Sequence, residues 1–410
     1  GRARPPGGTP ERGRARLPGR APAPGRTPVA ARAALPPALA GCRLLAPPVA
    51  AGGLRLGVVH DARARTYSGV VAVAGGGFPL LEPAERERRV GAWSGLLAGL
   101  ARDGTLVHRL QWVERGVPGD ASALREQAAP LLVGPDQPAT RSYAQVVDRA
   151  GAMARRHEIL LALSVHADRA ARQIRAAGGG DEGACAVLSR ELQSLQLRLA
   201  EAEILVLGPL APRVLVSTLR QPLVGRPGTP GPGPEGAGPA WPWPLGSEAS
   251  WSAYRTEETW HATYWVAEWP RVDVGPEFLA PLLLHSGVRH AMALTMAPVS
   301  PLKAARDVQQ ARTADMADAE LRRRGGFLTN ARRQREAEVV ARREVELADG
   351  HAQFRFSGYV TATAASEEAL EADCARLEQA AGQVRLELRR LFGQQAEAFT
   401  WTLPLARGLA

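Results

Sequence analysis

With 410 residues, 45% of them hydrophobic, the chain is long enough for two or three domains with sizeable cores. Its formal charge of +10 sits largely at one end: residues 1–50 carry nine arginines against the single acid Glu11, a net +8, and residues 51–410 are close to neutral. Lys303 is the only lysine and follows Leu302, which excludes a phosphate-cradling Gly-Lys-Ser/Thr loop, and the three scattered cysteines, Cys42, Cys185 and Cys374, exclude a disulfide framework or a zinc spacing and fit a reducing compartment.

No run of 18 apolar residues escapes interruption by Arg, Gly or Pro, so neither a transmembrane helix nor a signal peptide is expected. The chain opens on Gly1 rather than Met, and residues ahead of it are expected. Residues 1–50 are rich in Gly, Pro, Arg and Ala and are expected to form a disordered basic tail. Such a tail could touch DNA or an anionic membrane surface, but a solvated leader is the favoured reading.

A first α/β domain is expected over residues 51–224. Apolar runs at 54–59, 67–74, 106–113, 159–165 and 203–207 predict strands. Trp93, Leu96, Leu97 and Leu100 recur at helical spacing, and so do Leu188, Leu192, Leu195 and Leu199. Residues 225–250 read as a Gly/Pro-rich linker, and its Trp241-Pro242-Trp243-Pro244 favours a stiff, extended chain.

A second α/β domain follows over residues 251–410. Trp260 to Trp269 is an aromatic strand with two coverable faces, as for an inner strand. Phe278, Leu279, Leu282 and Leu283 predict a short helix, and Val288, Met292, Leu294 and Met296 a further strand. A charge-balanced helical segment spans 301–349, broken at Gly325-Gly326. Residues 353–364 alternate as a strand, and Ser366 caps a last helix whose apolar stripe runs from Leu370 through Cys374, Leu377, Ala381, Val384 and Leu388 to Leu391.

Both halves contain a strand that runs into a Pro-started helix. Ile204–Leu207 leads into Pro209-Leu210-Ala211-Pro212, and Ala293–Met296 into Pro298-Val299-Ser300-Pro301. The shared device suggests two related halves. The fold class is α/β (α+β): two helix-layered sheet regions of split-βαβ type, joined by the Gly/Pro linker.

Chemistry-bearing motifs are sparse. Gly178-Gly179-Gly180-Asp181-Glu182-Gly183 satisfies the dinucleotide pattern G-x-G-x-x-G and contains a cyclase-like Gly-Gly-Asp-Glu, but helical residues, not a strand, precede it. A loop between two helices is the better account. None of the eight histidines form a metal-binding i,i+4 pair, and His261 reads as a hydrogen-bonded structural residue. The arginines at 322–324, 332, 333, 335, 342 and 343 are offset by Glu320, Glu336, Glu338, Glu344 and Glu346, with Glu320–Arg324 and Glu338–Arg342 at favourable spacing. A solvated, self-neutralising helix is expected there. Tyr254, Trp260, Tyr264, Trp265 and Trp269 could stack bases, but core or interface is the more economical reading. No catalytic, cofactor-binding or metal site is expected, no cofactor is called for, and the chain reads as not an enzyme.

Several runs carry a family resemblance. They are His261–Pro270, Arg343-Glu344, Glu346-Leu347, Gly350-His351, Phe354–Tyr359 and the closing Gly393-Gln394-Gln395, Ala398-Phe399 and Thr402-Leu403-Pro404-Leu405. The chain resembles a family from actinobacterial conjugative elements, similar to the amino-terminal, non-motor domain of TraC/CagE-type conjugation ATPases and related to PrgI-family fusion proteins. The resemblance implies a scaffold in type IV secretion and conjugative DNA transfer, at the cytoplasmic face of the membrane. It implies partners in a separate conjugation ATPase and inner-membrane channel proteins, with Trp265, Trp269 and the helix ending at Leu391 as core or docking surface. The alternative is a DNA-binding accessory protein that uses the Arg-rich tail.

Overall fold

The structure, a computed structural model, describes residues 37–47, 55–75, 77–118, 129, 137–153, 155–224, 246–285, 287–325 and 331–409. The expected tail through residue 36, and the linker from 225 to 245 with Trp241-Pro242-Trp243-Pro244, lie outside the described residues.

Alternating apolar residues make the strands of the first unit, and a leucine stripe makes its main helix. In chain order come β1 (Cys42–Leu45), β2 (Val58–Asp61), β3 (Thr66–Ala74), α1 (Pro83–Leu100), β4 (Val107–Pro118), α2 (Pro138–Met153), β5 (Arg155–His166), α3 (Ala171–Ala176), α4 (Gly180–Glu201), β6 (Leu205–Pro209) and α5 (Pro212–Val224). The α4 stripe Leu188, Leu192, Leu195 and Leu199 is fully buried, against Val71, Leu110, Leu161 and Leu163 of the sheet and Leu96 and Leu100 of α1. Each such leucine contributes about 1.5–3 kcal/mol by leaving water. The strands run in the order β6-β3-β5-β4, every pair antiparallel. With its helices between first and second and between third and fourth strands, this is a split-βαβ, ferredoxin-like unit.

The second unit repeats the plan. It contains β7 (Ser247–Ala249), β8 (Tyr254–Thr256), β9 (Trp260–Glu268), α6 (Ala280–Leu283), β10 (His290–Pro298), α7 (Pro301–Gly325), α8 (Ala331–Ala348), β11 (Phe354–Ala364), α9 (Glu367–Gln383), β12 (Glu387–Arg390) and α10 (Gln395–Phe399). The strand order β12-β9-β11-β10 matches that of the first unit, again antiparallel throughout. In both units a short hairpin strand, β2 or β8, shares the outer edge of the first strand with the fourth. The repeat therefore aligns β6–α5 with β12–α10. The Pro-started device read at β10–α7 belongs to the second strand of its unit, so the two halves are related, but through a different correspondence.

More than the linker joins the units. Strand β10 pairs with β4 from Leu110↔Met296 to Arg115↔Ala291, which makes a single twelve-stranded sheet. Trp112 packs against the cores under both sets of helices, so α1 and α4 share one face of the sheet with α6 and α9.

The other face differs in chemistry. Its core, with Leu39, Val70, Val113, Leu215, Leu219 and Phe399, is covered by α5, a 3-10 turn at Pro37–Leu39, α10 and the segment after it. Across that face runs a row of buried polar side chains: Ser68, Gln111, Thr263, Thr295 and Thr361 are each at most 2% exposed. The C-terminal segment 391–409 crosses this row and satisfies it. Between β8 and β12 the edge of Thr263 has no strand beside it. Gln395 fills the gap, accepting from Thr263 N at 2.7 Å and donating to its carbonyl at 3.2 Å. Thr361 and Thr402 hydroxyls meet at 2.8 Å. Gln111 donates to Trp401 O at 2.7 Å and accepts from Ala406 N at 2.8 Å. Thr295 donates to Arg407 O at 2.7 Å and Ser68 to Leu405 O at 3.3 Å. Arg407 then reaches β2, pairing with Asp61 at 2.5 Å and donating to Ala38 O at 2.6 Å.

Three sequence expectations change. The 1–50 tail contains ordered residues: Cys42–Leu45 pairs with β2, and Leu39 and Cys42 are buried. The last helix stops at Gln383, short of Leu391. Arg385 takes a left-handed φ of 58°, and Leu386 N and Arg385 N close back onto Ala381 O and Gly382 O at 2.9 and 3.1 Å. That is a Schellman stop, after which Leu388 continues as β12. Finally, Arg342, expected opposite Glu338, pairs with Glu346 at 3.0 Å, and Arg312 with Glu344 at 2.5 Å ties α7 to α8 as a hairpin, while the side chains of the expected Glu320–Arg324 pair lie outside the described residues.

Replacing Gln111 by Leu leaves the Trp401 carbonyl and the Ala406 amide unpaired in a buried setting. Chemical denaturation should record a loss of about 2–6 kcal/mol, at 1–3 kcal/mol for each orphaned group.

Candidate functional site

The glycine cluster is a helix-to-helix turn. Gly178, Gly179 and Gly180 have φ of 106°, 76° and 56°, between α3 and α4. Gly183 lies so close to α3 that a Cβ there would sit 2.4 Å from Ile174 O. Turn geometry and helix contact account for all four glycines, and the nucleotide pattern coincides with them. Asp181, in the first turn of α4, accepts from Tyr67 Oη at 2.8 Å and from Arg43 at 3.3 Å. The His60 ring stacks on Tyr67 at 4.3 Å and lies 3.8 Å from Asp181. Burial and the bond to Asp181 push the Tyr67 hydroxyl up to about 12, so it stays a donor. Burial and Arg43 hold His60 below its ordinary value. The network links β1, β2, β3 and α4; sequence spacing gave no sign of it, because its members are up to 138 residues apart.

His261 is fully buried. Its Nε2 meets the Thr256 and Thr259 hydroxyls at 3.0 Å each and its Nδ1 meets Thr363 at 3.0 Å, while Thr256 and Thr259 also donate to Leu223 O at the end of α5. Burial, with Arg289, lowers its pKa to about 3. The three thiols are buried and unpaired by disulfides; burial raises Cys42 and Cys185 to about 11 and raises Cys374 as well. Thiols so protonated are poor nucleophiles. Among the described residues, no three His, Cys, Asp or Glu gather where they could hold a metal ion, and no helix is long and apolar enough to cross a membrane.

The aromatic residues divide between core and surface. Tyr254 and Tyr264 are 3% and 1% exposed, and Tyr264 donates to Glu378 at 2.8 Å. Trp265 is 37% exposed, and Trp269 lies edge-on to Phe356 at 5.7 Å. A pair missed in the sequence, Trp251 and Phe392, stacks at 6.3 Å, with Trp251 the more exposed at 73%. On the far edge Leu205 and Leu207 of β6 stand open to solvent. Such exposed apolar surfaces suit contact with other chains.

Comparison with known proteins gives one family. Residues 152–266 match the family model described as "Putative type VII ESX secretion system translocon, EccE". No curated protein matches the chain. The match spans β5, α3, α4, β6 and α5 of the first unit and reaches into β9 of the second. It overturns the conjugation reading. The type IV and DNA-transfer assignment, the conjugation ATPase and inner-membrane channel partners, and the DNA-binding alternative are contradicted by this match, which points to a type VII secretion system instead. The reason is physical. Gln395, Phe399 and Leu403, the core of the closing motif, are 1–2% exposed and serve to seal the polar sheet face. A shared way of closing a sheet carries no information about which machine the sheet serves.

Because His261 is held neutral in the fold, only the unfolded chain takes up its proton as pH falls from 6.5 toward 3. Stability should therefore fall through that window by up to about 1.4 kcal/mol per pH unit from this group, and His261→Gln should remove that part of the slope in urea midpoints measured from pH 7 to 4.

Proposed function

We propose that this chain is a non-catalytic, membrane-associated structural component of a type VII ESX translocon, placed at the cytoplasmic face of the membrane. The family match over residues 152–266 carries this reading. That stretch includes the helix that anchors the first unit and the strand that begins the second, so it samples both halves of the sheet. The side-chain chemistry supports a scaffold. Two buried titratable groups, His261 and Arg115, are engaged in tying elements together: Arg115 pairs with Glu158 at 2.8 Å and donates to Thr218 O of α5 at 2.6 Å. Exposed apolar groups on β6, at Trp251–Phe392 and along the α7–α8 hairpin supply surface for neighbours in an assembly.

In its own cells, the tagged chain solubilised in mild detergent should co-migrate with the ESX membrane assembly, and its deletion should stop export of ESX substrates. Migration as a free protein together with undiminished export would overturn the assignment. The purified chain should show no ATP hydrolysis above a buffer control.

A further inference from the structure

A surface helix of a folded protein normally buries one face against its neighbours. The α7–α8 hairpin, inserted between β10 and β11, does not. Among its described side chains only Ala304 and Val308 are buried; Ala311, Val340 and Leu347 are half-buried, and the rest stand open to solvent. Between the two helices lies a cavity of about 630 Å³, lined by Ala305, Val308, Arg312 and Met316 of α7 and by Leu347 and Ala348 of α8. Close-packed helices leave no void of that size, so the hairpin is a groove, open along one side.

The walls of the groove are regular. On α7 Leu302, Ala305, Gln309, Arg312 and Met316 follow one another at steps of three and four, and on α8 Ala341, Val345 and Ala348 do the same. Leu302, Met316 and Val345 are each at least 60% exposed. Arg312 and Glu344 pair at 2.5 Å across the cavity and neutralise each other. Over residues 301–349 as a whole, eleven basic side chains stand against nine acidic ones.

We propose that this groove is closed by the same hairpin of a second copy of the chain, the two pairs of helices forming a four-helix bundle about a two-fold axis. The charge selects the occupant. A groove whose ion pair neutralises itself gives no hold to a nucleic acid, an anionic membrane surface or a strongly charged peptide. Its walls repeat at helical spacing, so the element that fits between them is a helix. The hairpin supplies both parts of the joint: an apolar groove, and protruding Leu302, Met316 and Val345 to enter an identical one. The same surface on both partners is what a closed two-fold contact requires. The near-even mixture of charges lets two copies approach without repulsion. Pairing of this kind belongs to the purified chain and does not depend on the translocon assignment.

The test is the mass of the full chain by sedimentation equilibrium. The parent should return twice the mass of one chain, and Met316→Glu/Val345→Glu should weaken self-association at least about tenfold by placing charge in an apolar contact. Both positions are exposed, so the circular dichroism of this variant should match that of the parent. Leu205→Ser/Leu207→Ser, which removes exposed leucines from the far edge strand β6, should change association by less than about twofold. Backbone hydrogen exchange over residues 301–317 and 338–348 should slow as protein concentration rises, while that of β6 stays constant. A chain that remains single at every concentration would overturn the proposal and leave the groove to a helix of another protein. A dimer that the hairpin variant leaves intact, or that the β6 variant weakens equally, would overturn it too.

Discussion

A row of buried hydroxyls and amides crosses one face of an otherwise apolar sheet, and every larger feature of the molecule depends on how that row is paired. Ser68, Gln111, Thr263, Thr295 and Thr361 belong to five strands drawn from both units. Unpaired, each would cost about 1–3 kcal/mol. The segment 391–409 supplies carbonyls, an amide, a hydroxyl and the Gln395 side chain to all five. Apolar residues Phe399, Leu403 and Leu405 fix it between those polar contacts. The strap thus holds the two units in register with directional bonds, while Trp112 and the β4–β10 ladder hold them together with contact area.

Much of this was legible in the sequence, and the parts that were not share a cause. Apolar runs located β3, β4 and β5, an aromatic run located β9, alternation located β11 and the leucine stripe located α4, because all these patterns are local. Ser366 was readable as a cap and does accept from Ala369 N at 3.2 Å. The end of α9 was misread because Leu388 continues the apolar stripe at helical spacing; the stop is imposed by a backbone turn at Arg385, a residue with no preference for a left-handed conformation. The strand β1 was hidden in an Arg- and Pro-rich context and exists because β2 offers it an edge. The strand order and the β4–β10 seam are long-range facts with no local signature.

The site chemistry follows the same division. His261 could be read as structural from its apolar strand, and it is encased by Thr256, Thr259 and Thr363. The Arg43–His60–Tyr67–Asp181 network could not be read, since its members come together only through the sheet. The closing motif was the loudest signal in the chain and misdirected the functional reading, because its residues record how the fold is sealed. The quieter stretch from 152 to 266 carries the match to the EccE family model.

The strap also sets a timetable. It follows both units along the chain, and its contacts join residues as far apart as Ala38 and Arg407, 369 positions away. Neither unit can bury its polar face until synthesis has passed the second unit, and loops of that length close slowly. During translation the nascent sheet must wait with one side hydrated, so maturation of this protein is a late, all-at-once event rather than a unit-by-unit accumulation.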